Sequence, residues 1–127
     1  MAEMRQTDAY RTGEATRRSV LGDAHVDRSI GNATDFDAEF IQYITEIAWA
    51  GVWSRPGLDK RTRSLVTIAI LAALGRDELL THLKGSQNTG CTLDEIKEVM
   101  LHVAVYGGVP AAVHAMGVAK AALTTNQ

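Results

Sequence analysis

The chain has 127 residues, 46% of them hydrophobic and 22% charged, which is enough apolar material for one packed domain and too little to furnish two independent cores. Thirteen Lys and Arg against fifteen Asp and Glu give a net charge of -2, without the basic excess that phosphate-driven nucleic-acid binding needs. The lone Cys91 excludes an intramolecular disulfide, a CxxC redox pair and a cysteine-rich zinc site, and points to a reducing, cytoplasmic setting.

The residues from Met1 to Arg18 are polar and mixed in charge, with no apolar signal region. The longest greasy run, Leu65 to Leu74, is too short to cross a bilayer, so no membrane partner is expected. Glycines recur just after amphipathic stretches, as in helices closed by left-handed residues, and the expected fold is an all-α bundle of about six helices. A first helix is expected from about Met4 to Leu21, ending at Gly22, with Tyr10, Ala15 and Leu21 as its thin buried stripe. Asp23 to Ala33 reads as a polar link. Thr34 can then cap a second helix, whose Phe36, Phe40, Ile41, Ile44, Ile47 and Ala48 recur at helical spacing and predict a strong buried stripe.

Pro56 removes an amide donor and pushes Arg55 off helical angles, so Trp53 to Gly57 predicts a fixed loop. Asp59 caps a third helix, apolar on every side from Leu65 to Leu74, as befits an element surrounded by protein. Gly75 ends it, and Asp77 can cap a fourth helix running to about Asn88 before Gly90. Thr92-Leu93-Asp94-Glu95 reads as a capping box opening a fifth helix through Tyr106, with Ile96, Val99, Val103 and Ala104 inward. Gly107-Gly108 stops it. Pro110 suits the first turn of a last helix, Ala111 to about Leu123, and Thr124 to Gln127 is expected to fray. An all-round apolar helix and Ala/Gly faces in so short a chain imply a core completed by other subunits; the alternative is a monomer that buries the third helix by itself.

No phosphate-cradling glycine loop, HExxH, GxSxG or paired-carboxylate motif is present. His82 lies among Leu79, Leu80 and Leu83, where an imidazole can exchange a proton at the edge of an apolar pocket or merely pair with Glu78 one turn earlier. Arg61, Arg63 and Ser64 open the third helix, either holding a carboxylate at its N-terminus or forming a solvated helix start. His25, Asp27 and Arg28 read as a polar arm over a site or as ordinary loop polarity. Trp49 and Trp53 either wall a cavity for a small ring or fill the core. His102, one turn from Glu98 and from Tyr106, suits a structural hydrogen-bonded ladder at least as well as it suits catalysis. His25, His82, His102 and His114 lack metal-ligand spacing, so no metal is expected.

The runs Leu21 to Ser29, Ala48-Trp49 through Trp53-Ser54-Arg55-Pro56-Gly57-Leu58, Arg61 to Ala69, and Tyr106 to Ala112 closely resemble the carboxymuconolactone decarboxylase family. His82-Leu83 and Gly90 to Val99 extend the similarity, which runs from about Tyr10 to Ala121 and makes residues 1-127 a single domain of that kind. The resemblance implies an alkylhydroperoxidase-D-like fold in a ring-shaped homohexamer. It also implies decarboxylation of 4-carboxymuconolactone to 3-oxoadipate enol-lactone, without a cofactor, in the protocatechuate branch of the β-ketoadipate pathway. Redox relatives on that fold carry CxxC before a histidine. Here Gly75 to His82 keeps the histidine and lacks both cysteines, so thiol chemistry is not expected.

On that resemblance Arg28, Arg55 and Arg63 would anchor a dicarboxylate lactone, with Ser64 and Tyr106 as neutral donors. His82 would protonate a ring carbon, with His25 as second choice, and Trp49 and Trp53 would form the wall. One departure stands out: where the family pattern leads us to expect Pro-Ala-Ala-Asn, the last helix reads Pro110-Ala111-Ala112-Val113-His114. It leaves room for a related lyase or isomerase on another aromatic-derived acid, for a non-catalytic oligomeric relative, or for His114 as an interface residue.

Overall fold

The computed structural model describes residues 2–123, and among them every regular element is helical. The chain divides into two compact units, Met1–Asp59 and Lys60–Gln127.

In the first unit, α1 (Asp8–Leu21) starts later than the expected Met4, because the Thr7 hydroxyl accepts the Tyr10 N–H at 3.0 Å and so caps the helix. The segment before it is pinned instead by a side-chain amide: Arg5 N donates to Gln42 Oε1 at 2.8 Å, and Gln42 Nε2 donates to Arg5 O at 2.9 Å. Tyr10, Gly13 and Val20 form the buried stripe of α1, whereas Ala15, expected inside, is exposed. The supposed polar link is a correction to the sequence reading, for Asp23–Gly31 is a helix, α2. Its apolar content is too sparse to show periodicity, and charge holds it: Arg18 bridges Asp23 at 3.2 Å and Asp27 at 2.8 Å while also meeting Glu14 at 3.0 Å. Those hydrogen bonds, Asp27 first, raise the guanidinium's pKa.

Thr34 does not cap the next helix as expected. It sits in a turn in which Asp37 Oδ1 accepts the Thr34 N–H at 2.8 Å, and α3 (Ala38–Ile44) follows. From Thr45 to Trp53 the backbone continues as a π-helix, an element the sequence reading did not anticipate. The longer repeat of i→i+5 bonding rotates the inward face, so Thr45 and Trp49 are buried there. The predicted stripe fails for this reason and because Phe36 stands on the preceding turn: Phe36 is 98% exposed, and Phe40 and Ile47 are also open. The π-segment and α1 pack so closely that a Cβ at Gly13 would lie far inside contact distance of the Thr45 carbonyl oxygen.

The second unit is a four-helix assembly of α4 (Lys60–Leu74), α5 (Leu79–Thr89), α6 (Leu93–Tyr106) and α7 (Val109–Leu123). Helices α4 and α7 each contact the other three, so α4 shares with α7 the central place expected for it alone. Ile68, Ala72, Leu83, Met100 and Ala115 lie in the shared core. Burial on every side is not found, since Val66, Ile70 and Leu74 on α4 are exposed, Ile70 by 52%. Apolar side chains that recur all round a helix do not say which of them meet their own chain. The capping box forms, with Glu95 N donating to Thr92 Oγ1 at 3.1 Å and Thr92 N donating to Glu95 Oε1 at 2.9 Å. Asp77 does not cap α5: its carbonyl accepts the Leu80 N–H, and Glu78 precedes the helix. Among the described residues the count is therefore seven α-helices plus the π-segment, against about six expected. No helix among the described residues is long and apolar enough to cross a membrane. The tail Thr124 to Gln127, expected to fray, lies outside the described residues.

Candidate active site

In the first unit, His25 and Arg28 stand one turn apart on α2, His25 half-buried and Arg28 exposed. Being helical, α2 presents them at fixed spacing rather than on a loose arm. Trp49 and Trp53 stack with ring centroids 5.0 Å apart and planes inclined by 26°. Trp49 is 6% exposed and Trp53 half-buried, so the pair forms an apolar wall with one ring at its margin.

The end of that wall is fixed by a hydroxyl relay. The Ser54 hydroxyl donates to the Trp49 carbonyl at 2.8 Å, so the 2.8 Å contact between Ser54 Oγ and Thr16 Oγ1 takes its proton from Thr16. The Ser54 N–H reaches the same carbonyl at 3.1 Å, and Arg55 N donates to Val52 O at 3.1 Å. Together these bonds stop the π-helix and set the point from which the exposed Arg55 leaves it.

In the second unit, Arg63 and Ser64 lie in the first turns of α4 and His82 on α5, two helices packed together. Ser64 is 0% exposed, and its hydroxyl meets Thr89 Oγ1 at 2.8 Å, tying α4 to the end of α5. Arg61 is committed to the Glu95 carboxylate. The Glu95 pKa is lowered first by its bond to the Thr92 backbone and then by the Arg61 charge. His82 is half-buried between the buried Leu79 and Leu83, with its Nδ1 atom shut off from solvent, as is Arg63 Nε. Tyr106 is 81% exposed at the end of α6, its ring centroid 5.0 Å from that of His102, a ring contact in place of the hydrogen-bonded ladder expected. Val113 and His114 are both exposed on α7. Among the described residues no group of three His, Cys, Asp or Glu is arranged to hold a metal ion.

Thr16, Ser54 and Thr89, the hydroxyls that hold Trp49 and Ser64, carry no mark in the sequence. Thr16 and Ser54 are 38 positions apart and Ser64 and Thr89 25, so no local pattern could have paired them.

A model of the carboxymuconolactone decarboxylase family matches residues 38–121. The chain is 50% identical over 118 residues to a 4-carboxymuconolactone decarboxylase of Acinetobacter baylyi, covering 92% of this chain and 88% of that one. It is 43% identical over 107 residues to a nitrosuccinic acid decarboxylase of Metarhizium robertsii, covering 82% and 73%. A 4-carboxymuconolactone decarboxylase of Pseudomonas putida is 47% identical over 45 residues, 35% of this chain and 94% of that one.

Proposed function

We propose, since the chain belongs to the carboxymuconolactone decarboxylase family, that it converts 4-carboxymuconolactone to 3-oxoadipate enol-lactone and CO₂ without a cofactor. The observation that carries this reading is the 50% identity, over nearly the whole chain, to an enzyme of that name. The substrate is its own electron sink. When the bond from ring carbon to carboxylate breaks, its electron pair moves through the ring alkene into the lactone carbonyl, and a proton then forms a C–H bond at the carbon next to that carbonyl.

The protein is left to hold two carboxylates, to favour the charge growing on the lactone oxygen, and to deliver one proton. His82 donates the proton, and its setting between Leu79 and Leu83 keeps the imidazole partly dry. His25 is the second choice. Arg28, Arg55 and Arg63 anchor carboxylates, Tyr106 is a neutral donor, and the stacked Trp49 and Trp53 supply an apolar wall. Ser64 is sealed from solvent on Thr89, so it acts by holding the start of α4, and with it Arg63, in place.

The likeness to a nitrosuccinic acid decarboxylase favours a second reading, a related lyase on another dicarboxylic acid. A nitro group would accept the electron pair there as the lactone carbonyl does here, so anchors and proton donor could serve both reactions. In either reading residues 1-127 act as one alkylhydroperoxidase-D-like domain, cytoplasmic and assembled as a homohexamer. The exposed Val66, Ile70 and Leu74 of α4 and Val105 and Val113 beyond them are the surfaces that assembly would cover.

The test is incubation of the purified full chain with freshly made 4-carboxymuconolactone, following loss of ultraviolet absorbance and release of CO₂. Stoichiometric CO₂ is expected. CO₂ from nitrosuccinate alone would replace the first reading by the second, and none from either would overturn both.

A further inference from the structure

The first unit holds a cavity of about 430 Å³ that neither the proposed reaction nor its assigned residues use. Its walls include Arg17 from α1, Ser29 and Asn32 from the end of α2 and the turn after it, Asp37 from the next turn, and Phe40 and Ile44 from α3. The size lies within the range of small-ligand sites.

Arg17 is half-buried, and burial lowers its pKa. Among the described residues it forms no ion pair, and its side-chain hydrogen bond goes from Nη2 to Ser29 Oγ at 3.0 Å. A guanidinium so placed has given up water for one hydroxyl and the more distant charge of Glu14, which leaves it able to hold an incoming anion. Ser29 accepts from Arg17, so its hydroxyl proton is left to donate toward the same point. On the same cavity Asp37 uses Oδ1 for the Thr34 N–H at 2.8 Å, which leaves Oδ2 to accept from a ligand. Phe40 and Ile44 add apolar surface to the same walls.

We propose that this cavity binds a small hydroxylated aryl monocarboxylate, with the carboxylate on Arg17 and Ser29, the ring against Phe40 and Ile44, and the hydroxyl donating to Asp37. The Asp37 charge repels a second carboxylate, so the site selects against the dianions that the decarboxylase reading requires. It is a ligand site separate from that reaction and does not rest on it.

The test is calorimetric titration of the full-length protein with 4-hydroxybenzoate, benzoate and terephthalate. Saturable binding is expected for 4-hydroxybenzoate, weakened about tenfold for benzoate and further for terephthalate. Arg17→Gln should weaken 4-hydroxybenzoate at least tenfold, and Asp37→Asn should abolish the discrimination against terephthalate. Phe40→Ala, which keeps both charges and removes an exposed ring, should weaken all three ligands, and it decides the matter if Arg17→Gln does not fold. Arg55→Gln and His82→Gln should bind as the unaltered protein does. No saturable heat, unchanged affinity in both Arg17→Gln and Phe40→Ala, or a loss confined to Arg55→Gln or His82→Gln would overturn the proposal.

Discussion

The hydroxyl of Ser54 donates to the carbonyl of Trp49, 2.8 Å away and five residues back, and is itself held by Thr16. A π-helix leaves its last carbonyls to be satisfied in some other way, and here one serine supplies both its N–H and its O–H to the same oxygen. The stacked indoles and the departure of Arg55 thus depend on a hydroxyl borrowed from α1.

Ser54→Ala and Thr16→Val each remove one member of this relay, and each should lower stability by about 1 kcal/mol. The two act on one chain of bonds, so the double variant should lose clearly less than the sum, a coupling readable from denaturant unfolding of the four proteins. Strict additivity would mean that the two hydroxyls hold the wall independently. If Trp49 and Arg55 serve the substrate, KM should also rise in Ser54→Ala.

Gly13 faces the opposite demand. Alanine is ordinarily the better helix former, by about 1 kcal/mol. At this position the added methyl would strike the Thr45 carbonyl oxygen, which is backbone and cannot turn aside. Gly13→Ala should therefore destabilise by about 3 kcal/mol, near the upper end of overpacking costs. A denaturation midpoint at or above that of the unaltered protein would show that α1 and the π-segment can move apart at little cost.

What could be read beforehand was what the chain states locally. The Thr92–Glu95 box and Tyr106-Gly107 bound α6 correctly, because caps are made by neighbours within three or four residues. Helix α2 escaped notice because its hold is Arg18, on another helix, rather than a hydrophobic stripe. The π-segment escaped because Ile44, Ile47 and Ala48 fit an α-repeat that the backbone does not follow. His82, Trp49 and Trp53 were recognisable as reactive or aromatic groups on apolar faces. The support of Trp49 was not, since Ser54 meets Thr16 only after folding, and neither was the Thr89 hydroxyl that seals Ser64.

Replacing His82 tests the proton assignment. His82→Gln keeps size and hydrogen bonding but cannot carry a proton, so turnover of the lactone should fall by about 10² or more. KM should move little, because the arginines still bind the carboxylates. The melting temperature should stay close to that of the unaltered protein, as the residue is only half-buried. Near-normal turnover would pass the role to His25, and His25→Gln would then show the loss.

Glu95 links the start of α6 to Arg61 and sets a pH dependence whose sign can be stated. Its folded pKa lies below the 4.5 of the free side chain, through the Thr92 backbone bond first and the Arg61 charge next. An acid depressed on folding contributes stability that is fully present above its unfolded pKa and is lost as pH falls through the folded one. Thermal unfolding should therefore show a decline beginning near pH 4.5 and continuing below it as the folded carboxylate takes up its proton. Glu95→Gln keeps the side-chain acceptor for the Thr92 N–H, so at pH 7 it should cost little, as expected for an ion pair open to solvent. Its own acid decline should be shallower, because the titrating group is gone. Parallel declines in the two proteins would move the acid sensitivity to Glu46, also depressed, chiefly by the Thr7 hydroxyl.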